Sequence, residues 1–119
     1  MTITTDTPRN GYFLISEGNG QRSRAAVVAG AVDMLSGTIV GKITASGKYL
    51  PHLDAAVDGS ENAVGVWFNN TDAVDDAGVA ILRDAEVQKS LLIYDPAANA
   101  AAILVIDAAL AALGIIAKA

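Results

Sequence analysis

Short β-prone segments recur along most of the chain at intervals of about 8–14 residues, each closed by glycine or a polar turn. They are AAVVAG (25–30), GTIVGKIT (37–44), GKYLPHL (47–53), AVGVWF (63–68) and GVAILRD (78–84), with GYFLISEG (11–18) ahead of them. Each is too short for a stable helix and rich in Val, Ile, Tyr or Trp, so the body must be built from strands. A sandwich, a barrel or a folded ribbon satisfies that cadence. Within LSGTIVGKITASGKYLP (35–51), Ala45-Ser46-Gly47 reads as a hairpin connection, with Gly47 supplying the φ that other residues resist. Pro51 has no N–H to give to a ladder, so its strand is an edge strand or ends there. The whole stretch reads as a bent β-ribbon with glycines at its corners.

The C-terminal third changes character. Asp95-Pro96 reads as an N-cap and first helical residue. Ile103, Ile106, Leu110 and Leu113 then follow at helical spacing, and Gly114 is a suitable terminator before a last short strand, IIAK (115–118). The fold class expected is mainly β with one C-terminal helix (α+β), arranged as a folded ribbon or incomplete barrel. At the other end, MTITTDTPRN holds four threonines and little apolar content. Residues 1–10 are therefore expected to form a mobile arm ahead of one β-rich domain. A chain of 119 residues is long enough to bury roughly two-thirds of its unfolded surface without metal or disulfide. No internal repeat is visible.

Composition removes several kinds of chemistry. With no cysteine, disulfides, zinc–thiolate sites and cysteine catalysis are excluded. A net charge of −5 and a pI near 4.5 argue against direct nucleic-acid binding. No apolar run reaches the roughly 18 residues of a membrane span, the longest being broken by Asp107. The first ten residues lack the apolar core of a signal peptide, so no export is expected. Hydrophobic residues make up 52% of the chain but aromatics only 5%, and small side chains bury little area each, a hint that copies associate.

The polar clusters read as turns more readily than as sites. GNGQRSR (18–24) lacks the strand-to-helix context of a phosphate loop. His52, the single histidine, follows a proline without a second histidine or a serine–carboxylate pair, and reads as an exposed edge residue. Asp54, Asp58 and Glu61 miss the calcium-loop pattern, and a turn at Asp58-Gly59 accounts for them. Asp72, Asp75 and Asp76 read as a solvated loop. Asn69-Asn70-Thr71 matches a glycosylation sequon whose use depends on export. Trp67 and Phe68 are neighbours on one strand and so face opposite sides. Arg83, Asp84 and Glu86 close a strand as a surface charge cluster or a contact between subunits. No nucleophile, base and oxyanion donors come together, so no enzyme and no cofactor are expected.

Taken in order, LSGTIVGKIT, GKYLP, DGSENAVGVWF, VAILRDAEV and LAALGII resemble the lambda-type bacteriophage head decoration (capsid-stabilising, cement) proteins, over residues 20 to 119. The resemblance implies a β-clip-like fold with a small helical element. It implies a virion protein, assembled in the host cytoplasm, that sits on the outer capsid surface. There it would bind the major capsid (coat) protein of the same phage as a homotrimer at three-fold positions and hold the expanded shell against packaged-DNA pressure. The resemblance also implies a flexible N-terminal arm over residues 1–17 ahead of a single β-rich domain over 18–119, and the arm would dock on the coat protein, with Tyr12, Phe13, Leu14 and Ile15 adding a strand to an exposed sheet edge. Arg83, Asp84 and Glu86 would lie at the subunit interface. Two other roles fit the residues: another phage structural module of tail or fibre, and a small-molecule-binding β domain.

Overall fold

A computed structural model of the chain describes residues 13–17, 24–30, 32–71 and 77–118. In chain order the strands are β1 (Leu14–Glu17), β2 (Arg24–Val28), β3 (Ile39–Lys42), β4 (Tyr49–Pro51), β5 (Gly65–Trp67), β6 (Ala77–Ile81) and β7 (Ala85–Gln88). A single 3-10 turn (Lys89–Leu91), the helix α1 (Ala100–Ala112) and β8 (Ile115–Lys118) complete the described elements. The protein is thus mainly β with one C-terminal helix, as expected.

Two sheets form. The larger has the order β2-β6-β5-β3-β4 and is antiparallel throughout. Ala29, just past β2, bridges Tyr49 of β4, and the Gly30 N–H donates to the Tyr49 carbonyl at 2.7 Å. That contact draws the two edges together without a continuous ladder, so the sheet is an incomplete barrel. The smaller sheet has the order β1-β7-β8, with β1 antiparallel and β8 parallel to β7. A parallel neighbour needs a long crossover, and α1 supplies it.

Successive side chains of a strand point to opposite faces, and the large sheet is apolar on both. Val40, Trp67 and Ala80 join Ala29, Met34 and Tyr49 on one face. Ile39, Val66 and Ile81 lie on the other, packed with Phe13, Val87, Ile115 and the helix residues Ile106 and Leu110. Trp67 and Phe68 divide between these two clusters, as the alternation requires. The Trp67 ring lies where a β-carbon on Gly78 would stand, so only glycine fits there.

Several sequence readings hold in detail. Gly47 sits at φ 74°, Gly59 at φ 111° and Gly114 at φ 84°, and Pro51 lies on the edge strand β4. Two do not. The helix does not begin at Asp95-Pro96: Asn99 is its N-cap, accepting from the Ala102 N–H at 2.9 Å. Asp95 instead closes a turn, accepting from the Ala97 N–H at 2.9 Å, while its other carboxylate oxygen accepts from the Asp54 N–H at 3.0 Å. Likewise, GVAILRD does not run on as one strand into Ala85 and Glu86. Asp84 takes a left-handed conformation (φ 47°), tolerable for aspartate, and the chain changes sheet there to begin β7.

Candidate docking surface

The residues expected to dock the arm separate on the structure. Tyr12 lies outside the described residues. Phe13 is 1% exposed and fills the core beneath the small sheet, its carbonyl accepting from the Gln88 N–H at 2.8 Å. Leu14 is half-buried against the same core. Ile15 is 51% exposed. Phe13 and β1 therefore belong with the body, whereas a division after residue 17 would put them in the arm. The reason is apolar area: a phenyl ring and a strand edge are stabilised more by their own domain than by water.

β1 pairs with β7 on one side only, and among the described residues no strand covers its other edge. Its register slips between Leu14 and Ser16, opposite Val87 and Glu86, so Ile15 is the extra residue of a β-bulge. The bulge lifts Ile15 out of the ladder. What remains is an open strand edge with an exposed isoleucine.

The charged trio does not converge on one point. Glu86 stands opposite Ser16 of β1 and pairs with Lys118 of β8 at 3.2 Å, so it has a partner within its own chain. Asp84 lies in the turn before β7, where its N–H donates to the Leu113 carbonyl at 3.3 Å and Oδ1 occupies the space that a β-carbon on residue 114 would need. Arg83 is exposed beside it. The trio thus spans from the helix C-terminus to the small sheet.

His52 departs from its expected exposed position. Its ring is 3% exposed, and Nε2 donates to the Glu61 carbonyl at 2.9 Å, since a carbonyl can only accept. Asp54 Oδ1 stands 3.3 Å from the same nitrogen, and Nδ1 has no partner. The histidine pins the loop that Asp58, Gly59 and Glu61 shape. Asp58 accepts from the Ser60 hydroxyl at 2.6 Å and the Ser60 N–H at 3.0 Å, and the hydroxyl is the main reason its carboxyl lies below the usual range. The Gly59 N–H donates to Glu61 at 2.7 Å. These acidic groups build a turn. Asp72, Asp75 and Asp76 lie outside the described residues, and among the described residues no three His, Asp or Glu side chains gather as a metal-binding group.

Two features had no sequence signal. Tyr94 donates to Asp107 Oδ1 at 2.6 Å while Lys89 pairs with Oδ2 at 2.9 Å, which ties the segment after β7 to the helix. Burial first, then the carboxylate partner, pushes the Tyr94 phenol well above its ordinary range. The second is a groove of about 220 Å³ between β4 and residues 93–96, walled by Leu35, Pro51, Leu53, Ile93 and Tyr94. That is below the roughly 300–1,000 Å³ of small-molecule sites.

No curated protein matches the chain. A family model described as Bacteriophage lambda head decoration protein D matches residues 3–115, nearly its full length. The β-rich body and the single C-terminal helix agree with that match. The chain belongs to the bacteriophage lambda head decoration protein D family and is a phage capsid decoration protein.

Proposed function

We propose that the protein is a structural cement. It binds the outside of the expanded capsid as trimers at three-fold positions, grips the major coat protein of its phage and holds the shell against packaged-DNA pressure. Assembly takes place in the host cytoplasm, and no catalysis is involved. The observation that carries this reading is the family match across residues 3–115. The open edge of β1 supports it, because a coat-protein strand can add there by main-chain hydrogen bonds. Ile15 then supplies the apolar contact, while Phe13 stays anchored in the protein's own core. Arg83, Asp84 and Glu86 lie at the contact between subunits of the trimer. Avidity from three such edges multiplies a weak single contact.

Co-sedimentation with expanded coat-protein shells tests the role. Full-length protein saturates at three copies per three-fold position. Ile15→Glu keeps its fold, since the side chain is exposed, yet binds at least tenfold more weakly. Absence of binding by the full-length protein discards the cement role. Undiminished binding by Ile15→Glu moves the docking surface away from β1.

A further inference from the structure

The groove between β4 and residues 93–96 combines apolar walls with acidic groups. Leu35 is 42% exposed, Leu53 44% and Ile93 38%, so three large apolar side chains stand half open around one cleft. Asp33 and Asp95 also line it, and Asp54, next to Leu53, has a half-exposed carboxylate. Among the described residues no lysine or arginine lines it. His52, another wall residue, is 3% exposed and leaves Nδ1 as an acceptor without a partner. At about 220 Å³ the space suits a side chain rather than a small molecule. The occupant that fits brings one compact apolar group, a positive charge and hydrogen-bond donors.

The course of the chain itself brings such a group to the groove. The Phe13 carbonyl accepts from the Gln88 N–H, and β1 runs antiparallel to β7, so the residues ahead of Phe13 are directed toward the segment that follows β7. The Phe13 ring stands 3.6 Å from where a β-carbon on Gly37 would lie, and the Gly37 carbonyl accepts from the Ile93 N–H at 2.8 Å. Residues 1–12, which lie outside the described residues, therefore join the body beside the Ile93 wall. Going back from Phe13, the first apolar residue past Tyr12 is Pro8, and its neighbour Arg9 is the one basic residue of the twelve. Five extended residues reach about 17 Å, enough to carry Pro8 into a groove whose near wall adjoins Phe13.

We infer that the chain's own N-terminal segment occupies this groove, with Pro8 between the apolar walls and Arg9 against the carboxylates. Proline fixes its own φ and restricts Thr7, so little backbone freedom is lost on docking. Proline-containing segments dock on aromatic-lined grooves, and Tyr94 supplies the aromatic wall here. Opposite charge adds to the attraction and fixes which way the segment lies. The groove is small, so the contact is weak in itself. A short tether compensates with an effective concentration on the order of millimolar, which a separate partner would have to match. The contact belongs to the free chain and does not depend on the cement role. A coat protein that takes up the arm has to draw it out of the groove first.

Amide NMR spectra of the full chain test the contact. Pro8→Asp with Arg9→Glu is expected to shift the His52 and Leu53 signals, on the wall opposite Ile93, and to leave those of Val28 and Leu104, which do not line the groove, in place. Thr2→Asp, Thr4→Asp and Thr5→Asp together add as much negative charge to the arm and are expected to move none of the four. Diluting the unaltered protein leaves the His52 and Leu53 signals where they are, as a contact within one chain requires. Groove signals that ignore Pro8→Asp with Arg9→Glu overturn the inference, and so do signals that respond equally to the threonine changes. A dependence on dilution gives the groove to the arm of a second copy and overturns it too. Shell binding is scored on the same proteins. Binding lost while the groove signals stay put assigns Pro8 and Arg9 to the coat protein instead. Groove signals that move in a chain unable to bind shells leave this contact standing and remove the cement role.

Discussion

Asp95 binds two backbone N–H groups with separate oxygens, those of Ala97 and Asp54, and so joins the segment before α1 to the loop after β4. The Ala97 N–H is the larger cause of its lowered pKa. A depressed carboxylate adds stability that is full above its unfolded value near pH 4 and is lost as pH falls through the lower folded value. Tyr94 works in the opposite sense, because its phenol is raised. The stability it adds is full below about pH 10 and drains away above that, as pH rises toward the folded value. Urea titrations should show Asp95→Ala losing about 1–3 kcal/mol at pH 7, with the deficit narrowing below pH 4. Tyr94→Phe should remove part of the alkaline loss, and an unchanged profile above pH 10 would dismiss the Tyr94 assignment. Gly78→Ala sets a methyl against the Trp67 ring. It should cost about 1–3 kcal/mol and shift the emission of the single tryptophan. At this scale sequence was a poor guide to His52. Nothing in Pro51-His52 signals that the Glu61 carbonyl nine residues on will hold the ring.

Among the elements, the strands were legible and the switches between sheets were not. β3 and β5 read as unbroken apolar runs because both faces of their sheet are covered, so no polar alternation was there to find. β7 was hidden because RDAEV looks like the frayed end of β6, and only the left-handed backbone of Asp84 separates them. The helix start was misplaced because Asp-Pro satisfies the same local preferences as an N-cap, while the cap in use is Asn99. Asn99→Ala should therefore cost about 1 kcal/mol and lower helical ellipticity, whereas Pro96→Ala should leave the helix intact. Equal loss of helix signal from both would place the helix start back at Pro96. The capping glycine and β8 were found correctly because Gly114 has a single geometric use there, a positive φ after the last turn.

For the molecule as a whole, Phe13 decides how the N-terminal region and the body relate. The family resemblance put everything before residue 18 in the arm, yet this ring packs with residues from both sheets and the helix. Phe13→Ala should cost about 3–5 kcal/mol, a large share of the stability of a domain this size. A chain lacking residues 1–12 keeps the ring and β1, and thermal melting should leave its midpoint within a few degrees of the full-length protein. A chain lacking 1–17 should melt far lower. Equal midpoints for the two truncations would show that β1 is not part of the cooperative unit. The candidate docking surface was only half legible for the same reason: the run of apolar residues was visible, but its division into a buried anchor and an exposed bulge depends on β7.

β1 and β7 are also far apart in time. Leu14 pairs with Val87, 73 positions later. At about 5–20 residues per second, the partner strand leaves the ribosome roughly 4–15 s after β1. During those seconds both edges of β1 are bare, and nascent chains on one messenger carry it side by side. Flat, regular strands in that position stack onto their twins and aggregate. The bulge at Ile15 exists only in the pairing with β7, so it makes the edge of the finished strand irregular, while the unfinished chain must be kept from its twins by the brevity of that wait.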